Sequence, residues 1–114
     1  MGVWGADIFD DDFALDVKGD YEDILDSGQS HEVATRTLIE QYQNALEDAE
    51  ESGVFWLALA AVQLEHDALV NNVKTNALDV INSDCDLLRW VDSSDAAKRK
   101  QVLEQLKNQL LQKQ

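Results

Sequence analysis

Residues Val54–Val62 read VFWLALAAV, nine positions without one charge or amide. The run is too short to span a bilayer, which takes about 20 apolar residues in a helix. Continued to Glu65 as a helix, it is apolar on almost every side. A helix of that kind has to be covered all round by other elements. The stretch therefore puts a buried helix, Val54 to about Glu65, at the centre of a bundle.

The flanking sequence supplies the cover. The 114 residues contain no proline and five glycines, and so few breakers favour an all-α protein. A first helix is expected from Asp12 to Asp26, with Phe13, Val17, Tyr21, Ile24 and Leu25 on one face. Gly19 weakens its middle, and Ser27-Gly28 ends it. Ser30 can cap a second helix running to about Glu51, before Ser52-Gly53 breaks the chain. After the central helix, His66–Leu69 reads as a tight turn and Val70–Asn82 as a fourth helix. A short helical turn at Asp86–Val91 offers Leu87, Leu88 and Trp90 to the core. Ser94 or Asp95 caps a last helix with Val102, Leu103, Leu106, Leu110 and Leu111 in its stripe. The lead, Met1 to Asp11, is irregular, with Trp4 and Phe9 as anchors. The expected architecture is one all-α domain over residues 1–114: a compact bundle of about five helices with an irregular N-terminal lead and a central helical hairpin.

Charge narrows the function classes. Twenty-three acids against nine Lys and Arg give a formal net charge of −14. Nucleic-acid backbones and anionic membranes both call for basic surfaces, so neither is an expected partner. A basic protein is, because opposite charge steers encounter. Residues 1–26 hold nine acids and one base, whereas residues 93–114 hold two acids and five bases. The basic tail is expected to pack near the acidic head. The single cysteine, Cys85, allows no internal disulfide, and the opening residues show no basic region followed by an apolar run. Both point to the cytoplasm.

No catalytic motif is present. Asp10, Asp11, Asp12 and Asp16 are close in sequence, but a calcium loop would need further alternate oxygens, a central glycine and a closing glutamate. Helix capping accounts for one or two of these aspartates. Asp12 and Asp16, one turn apart, repel each other. A second cluster, Glu47, Asp48, Glu50 and Glu51, stands at the expected C-terminus of the second helix, the unfavourable end for negative charge. These eight residues are the candidate partner-binding set. His31 opens HEVAT, where a zinc-protease helix would need a second histidine in place of Thr35. His66 falls in a turn, and Cys85 lies between Asp84 and Asp86, which disfavours its thiolate. No cofactor or metal site is indicated.

The opening MGVWGADIFDDDFALD, the central SGVFWLALAAVQLEHDAL, and VINSDCDLLRW before a Lys/Arg-rich final helix are together similar to a family of short bacterial proteins, the domain of unknown function 4259 family. The resemblance implies a small, mostly helical protein and no particular activity. His66-Asp67 departs from it, since a glycine is expected in that turn.

The leading expectation is a protein that acts by protein–protein binding, as an immunity-type inhibitor of a basic toxin or nuclease does. The alternatives are a helical scaffold or assembly module, and a carboxylate-based metal protein or enzyme using Asp10, Asp12 and Asp16. Oligomeric state is left open by the sequence.

Overall fold

The computed structural model describes residues 7–83, 86, 90 and 94–112. Their fold is all-α: α1 (Asp12–Asp26), α2 (His31–Gln41), the single-turn α3 (Gln43–Leu46), α4 (Ala49–Glu65), α5 (Asn71–Asn82) and α6 (Ala96–Gln112). None of these helices is long and apolar enough to cross a membrane. The expected anchoring by Trp4, and Cys85, Leu87 and Leu88, lie outside the described residues.

Helix α4 is the hub. Phe55, Leu57, Ala58, Leu59, Ala60 and Val62 have no exposed surface. Helices α1, α3, α5 and α6 all pack against it, and α2 packs on α1. The covering faces are Ala14, Val17 and Tyr21 of α1, Val73, Ala77, Val80 and Ile81 of α5, and Leu103, Leu106 and Leu110 of α6. Full burial of a large aliphatic or aromatic side chain is worth about 1.5–3 kcal/mol, so this contact set dominates the folding free energy.

One polar side chain is buried in α4. The Gln63 amide nitrogen donates to Thr35 Oγ1 in α2 at 2.7 Å, and its oxygen accepts the Val70 N–H at 2.9 Å. Val70 is the N-cap position of α5 and lacks a side-chain cap of its own. Gln63 thus ties α2, α4 and the start of α5 together. Losing it would leave buried groups unpaired, at about 1–3 kcal/mol each.

The helix ends follow local chemistry. Asp11 caps α1, accepting N–H groups from Phe13 at 2.8 Å and Ala14 at 3.3 Å. The Ser30 hydroxyl accepts the Val33 N–H at the start of α2. Two helices close with the same paired backbone bonds. After α1, the N–H groups of Gly28 and Gln29 reach the carbonyls of Leu25 and Ile24; after α4, those of Asp67 and Ala68 reach Leu64 and Gln63. This closure needs a left-handed residue just past the helix. Gly28 has φ 99° and Asp67 has φ 52°. Aspartate tolerates that region better than most residues, which is how this chain turns there without glycine.

The expected second helix, Ser30 to Glu51, is corrected. Helix α2 ends at Gln41, and α4 begins at Ala49 rather than Val54. The cause is Asp48, whose extended backbone and carboxylate cap α4, accepting the N–H groups of Glu50 at 2.9 Å and Glu51 at 3.0 Å. Glu50 and Glu51 therefore lie at the favourable end of a helix dipole. Ser52-Gly53 does not interrupt the helix. Gly53 is buried, and a Cβ placed there would make an ordinary contact, 3.5 Å from Val80 Cγ1 of α5.

The basic tail does not meet the acidic head in an ion pair among the described residues. Arg99 turns instead to Asp86, with bonds of 2.7 Å and 3.0 Å, both side chains being buried. The guanidinium also lies 5.3 Å from the centre of the Trp90 ring. This pair fixes the segment before α6 onto that helix.

Two glycines separate the requirements of α1. Gly19 lies mid-helix with nothing within 4 Å of an added Cβ, whereas Gly28 has positive φ. Gly19→Ala is expected to stabilise by about 0.5–1 kcal/mol, and Gly28→Ala to destabilise by about 1–2 kcal/mol. Urea unfolding of both variants checks the opposite signs.

Candidate functional site

The acidic candidates divide by what their carboxylates already do. Asp11 and Asp48 are helix caps. Asp10 is half-buried, and its Oδ2 accepts the Asp7 N–H at 3.3 Å. Asp12, Asp16, Glu47, Glu50 and Glu51 are exposed.

Asp12, Asp16 and Asp20 follow one another at single-turn spacing on α1, and Asp23 extends the exposed run. Among the described residues, none of the four is in an ion pair. The one lysine of α1, Lys18, is committed elsewhere, bonding Glu65 at 3.2 Å and lying 4.8 Å over the Phe9 ring. Asp16 and Asp20 of α1 stand beside Tyr42, a member of an aromatic ladder. Phe13 meets Tyr42 edge-on at 5.7 Å, Tyr42 meets Phe55 at 5.3 Å, and Phe55 meets Trp56 at 5.2 Å.

Tyr42 senses this charge. Its hydroxyl donates to Asp20 Oδ2 at 2.6 Å. Burial pushes its pKa far above the ordinary value, and the bond to Asp20 and the negative charges of Asp20 and Asp16 add to the shift. Ionising the phenol would put a third negative charge beside those two carboxylates.

A second cluster escaped the sequence reading. His31 and His66, 35 positions apart, lie with ring centres 5.7 Å apart. His66 Nε2 is 3.1 Å from Glu22 Oε2, and Tyr21 OH is 2.7 Å from His31 Nδ1. Burial pushes the Tyr21 hydroxyl up, against smaller opposing effects of Thr35 and Gln63. The hydroxyl and Nδ1 share one hydrogen bond, its direction set by the imidazole tautomer. The cluster joins α1, α2 and the C-cap of α4. Its outer pair, His66–Glu22, is about a third exposed and contributes at most about 1 kcal/mol. Only the pairing of α2 with the end of α4 reveals this cluster, and no local motif encodes it.

Among the described residues, no three His, Cys, Asp or Glu side chains are gathered to hold a metal ion. The aspartates of the lead and α1 point to caps, backbone and solvent rather than to one centre.

The tyrosines supply a test. Both of the chain's tyrosines have raised pKa values, so in the native protein neither phenol should ionise near pH 10. A group raised on folding stabilises fully below its unfolded pKa, and that contribution is lost as pH climbs through the folded pKa. Absorbance at 295 nm should therefore stay flat through pH 10 in buffer and rise there in urea, with stability falling above pH 10.

No curated protein and no solved structure matches this chain. A family model described as "Domain of unknown function (DUF4259)" does match, over residues 2–113. That match spans the acidic lead, the buried hub helix and α6 alike, and the chain belongs to the DUF4259 family.

Proposed function

We propose that this protein acts by binding a basic protein partner, as an immunity-type inhibitor of a basic toxin or nuclease in a bacterial cytoplasm does. The observation that carries the reading is the run Asp12, Asp16, Asp20 and Asp23 on α1, exposed and without ion pairs among the described residues. Caps and backbone bonds account for Asp10, Asp11 and Asp48, and Asp20 accepts the Tyr42 hydroxyl, but Asp12, Asp16 and Asp23 have no hydrogen-bonded partner among the described residues. Like charges one turn apart each cost a few tenths of a kcal/mol. A surface that keeps such a cost fits one held for recognition. Glu47, Glu50 and Glu51 add further exposed negative charge. Arranged in this way, the carboxylates would raise the association rate with a cationic partner and set its orientation.

The overall charge of −14 supports the same partner class and disfavours nucleic acid. The single cysteine suits a reducing compartment. The metal-protein alternative loses support from the dispersal of Asp10, Asp12 and Asp16.

Neutralising the run separates its two consequences. The double variant Asp12→Asn, Asp16→Asn removes a repelling pair but also the Asp12 charge at the favourable end of α1, so its stability when free should change by less than about 0.5 kcal/mol. It should also lose most of its capture of the partner from the native host. Capture by the wild-type chain should recover a basic protein and weaken steeply as salt rises. Recovery of no basic protein, or binding indifferent to salt, defeats the proposal.

A further inference from the structure

Between the lead, the C-terminal half of α4 and α6 lies a groove of about 470 Å³. That volume falls within the roughly 300–1,000 Å³ of ordinary ligand pockets. Its apolar lining includes Ile8, Phe9, Ala61, Leu64, Val102 and Leu106. Phe9, Ala61, Leu64 and Val102 are only partly buried, so apolar surface is left open in the groove. The rim carries Asp7, Asp10 and Glu65 with the amides of Gln105 and Gln109, and among the described residues no cation lines it. Lys18 answers Glu65 and lies over Phe9, whereas Asp7 and Asp10 are in no ion pair among the described residues.

We propose that this groove is a docking site for a short peptide segment of a partner protein, one with an apolar anchor flanked by Lys or Arg. The anchor fills the floor between Phe9, Leu64 and Leu106. The cation meets Asp7 and Asp10, which carry no ion pair among the described residues. The amides of Gln105 and Gln109 are placed to bond the peptide backbone. Apolar contact provides affinity and the rim charges provide selection, the usual division at such sites. The inference rests on the basic-partner reading for the sign of the partner's charge. The groove itself is separate from the Asp12–Asp23 run.

The test is selection of a random 12-residue peptide display library on the full chain. Enriched peptides should share an aromatic or aliphatic residue next to Lys or Arg. A synthesised winner should bind at least about tenfold more weakly to Ala61→Phe, which fills the floor, and about threefold more weakly to Asp10→Asn. Circular dichroism and thermal melting confirm that both variants stay folded. The same peptide should bind the Asp12→Asn, Asp16→Asn variant as it binds wild type, so failure of the acidic-face proposal leaves this one standing, and the reverse. The inference is overturned by no enrichment, anchors without cations, equal binding to Ala61→Phe, or enrichment only on a Trp4→Ala chain. The last would mean that the chain's own first residues occupy the groove. Concentration-dependent dimers abolished by Ala61→Phe would also overturn it, since a second copy would then be the occupant.

Discussion

The constraint on which everything else depends is that α4 cannot be left with a bare side. From Val54 to Val62 its side chains are apolar in every direction, and only Trp56 and Ala61 keep appreciable exposure. Four helices must therefore surround it, and the remaining sequence is organised to that end. Gln63, the one buried amide in this helix, limits how they may do so. Its two bonds, to Thr35 and to the Val70 N–H, are satisfied only if α2 and the α4–α5 turn sit where they do. Hydrophobic burial supplies the driving force, and this polar tie selects among packings of similar area.

Against that frame the acidic residues separate into structural and surplus. Aspartate at a helix N-terminus satisfies free N–H groups and the dipole together, and Asp11 and Asp48 do both. Asp20 is half in this class, accepting the Tyr42 hydroxyl. Asp12, Asp16 and Asp23 have no such duty. Their mutual repulsion is tolerated because burial around α4 far exceeds a few tenths of a kcal/mol. A stable hub thus permits a surface chosen for recognition rather than stability.

Much of this was legible in advance. The all-α class, the buried hub, the bounds of α1 at Asp12 and Asp26, and the cap at Ser30 all follow from periodicity and capping chemistry acting within a few residues. What was missed depends on distance. Ser52-Gly53 looks like a break because serine and glycine are poor helix formers, yet the cap at Asp48 and burial of the residues that follow carry the helix through. His31 and His66 look unrelated until α2 and the end of α4 are placed together. Likewise, the groove is formed by three segments that no local pattern links. Asp67 shows the converse case, a turn rightly expected to want glycine and met by an aspartate in the left-handed region.

The central claim is that the apolar circumference of α4 organises the fold, and native-state hydrogen exchange tests it most directly. The slowest amides should be those of Phe55–Gln63, exchanging only by global unfolding, with α6 and the ends of α1 and α5 opening earlier. If amides of α1 or α6 outlast those of α4, the hub is not the last element to open, and the account is contradicted.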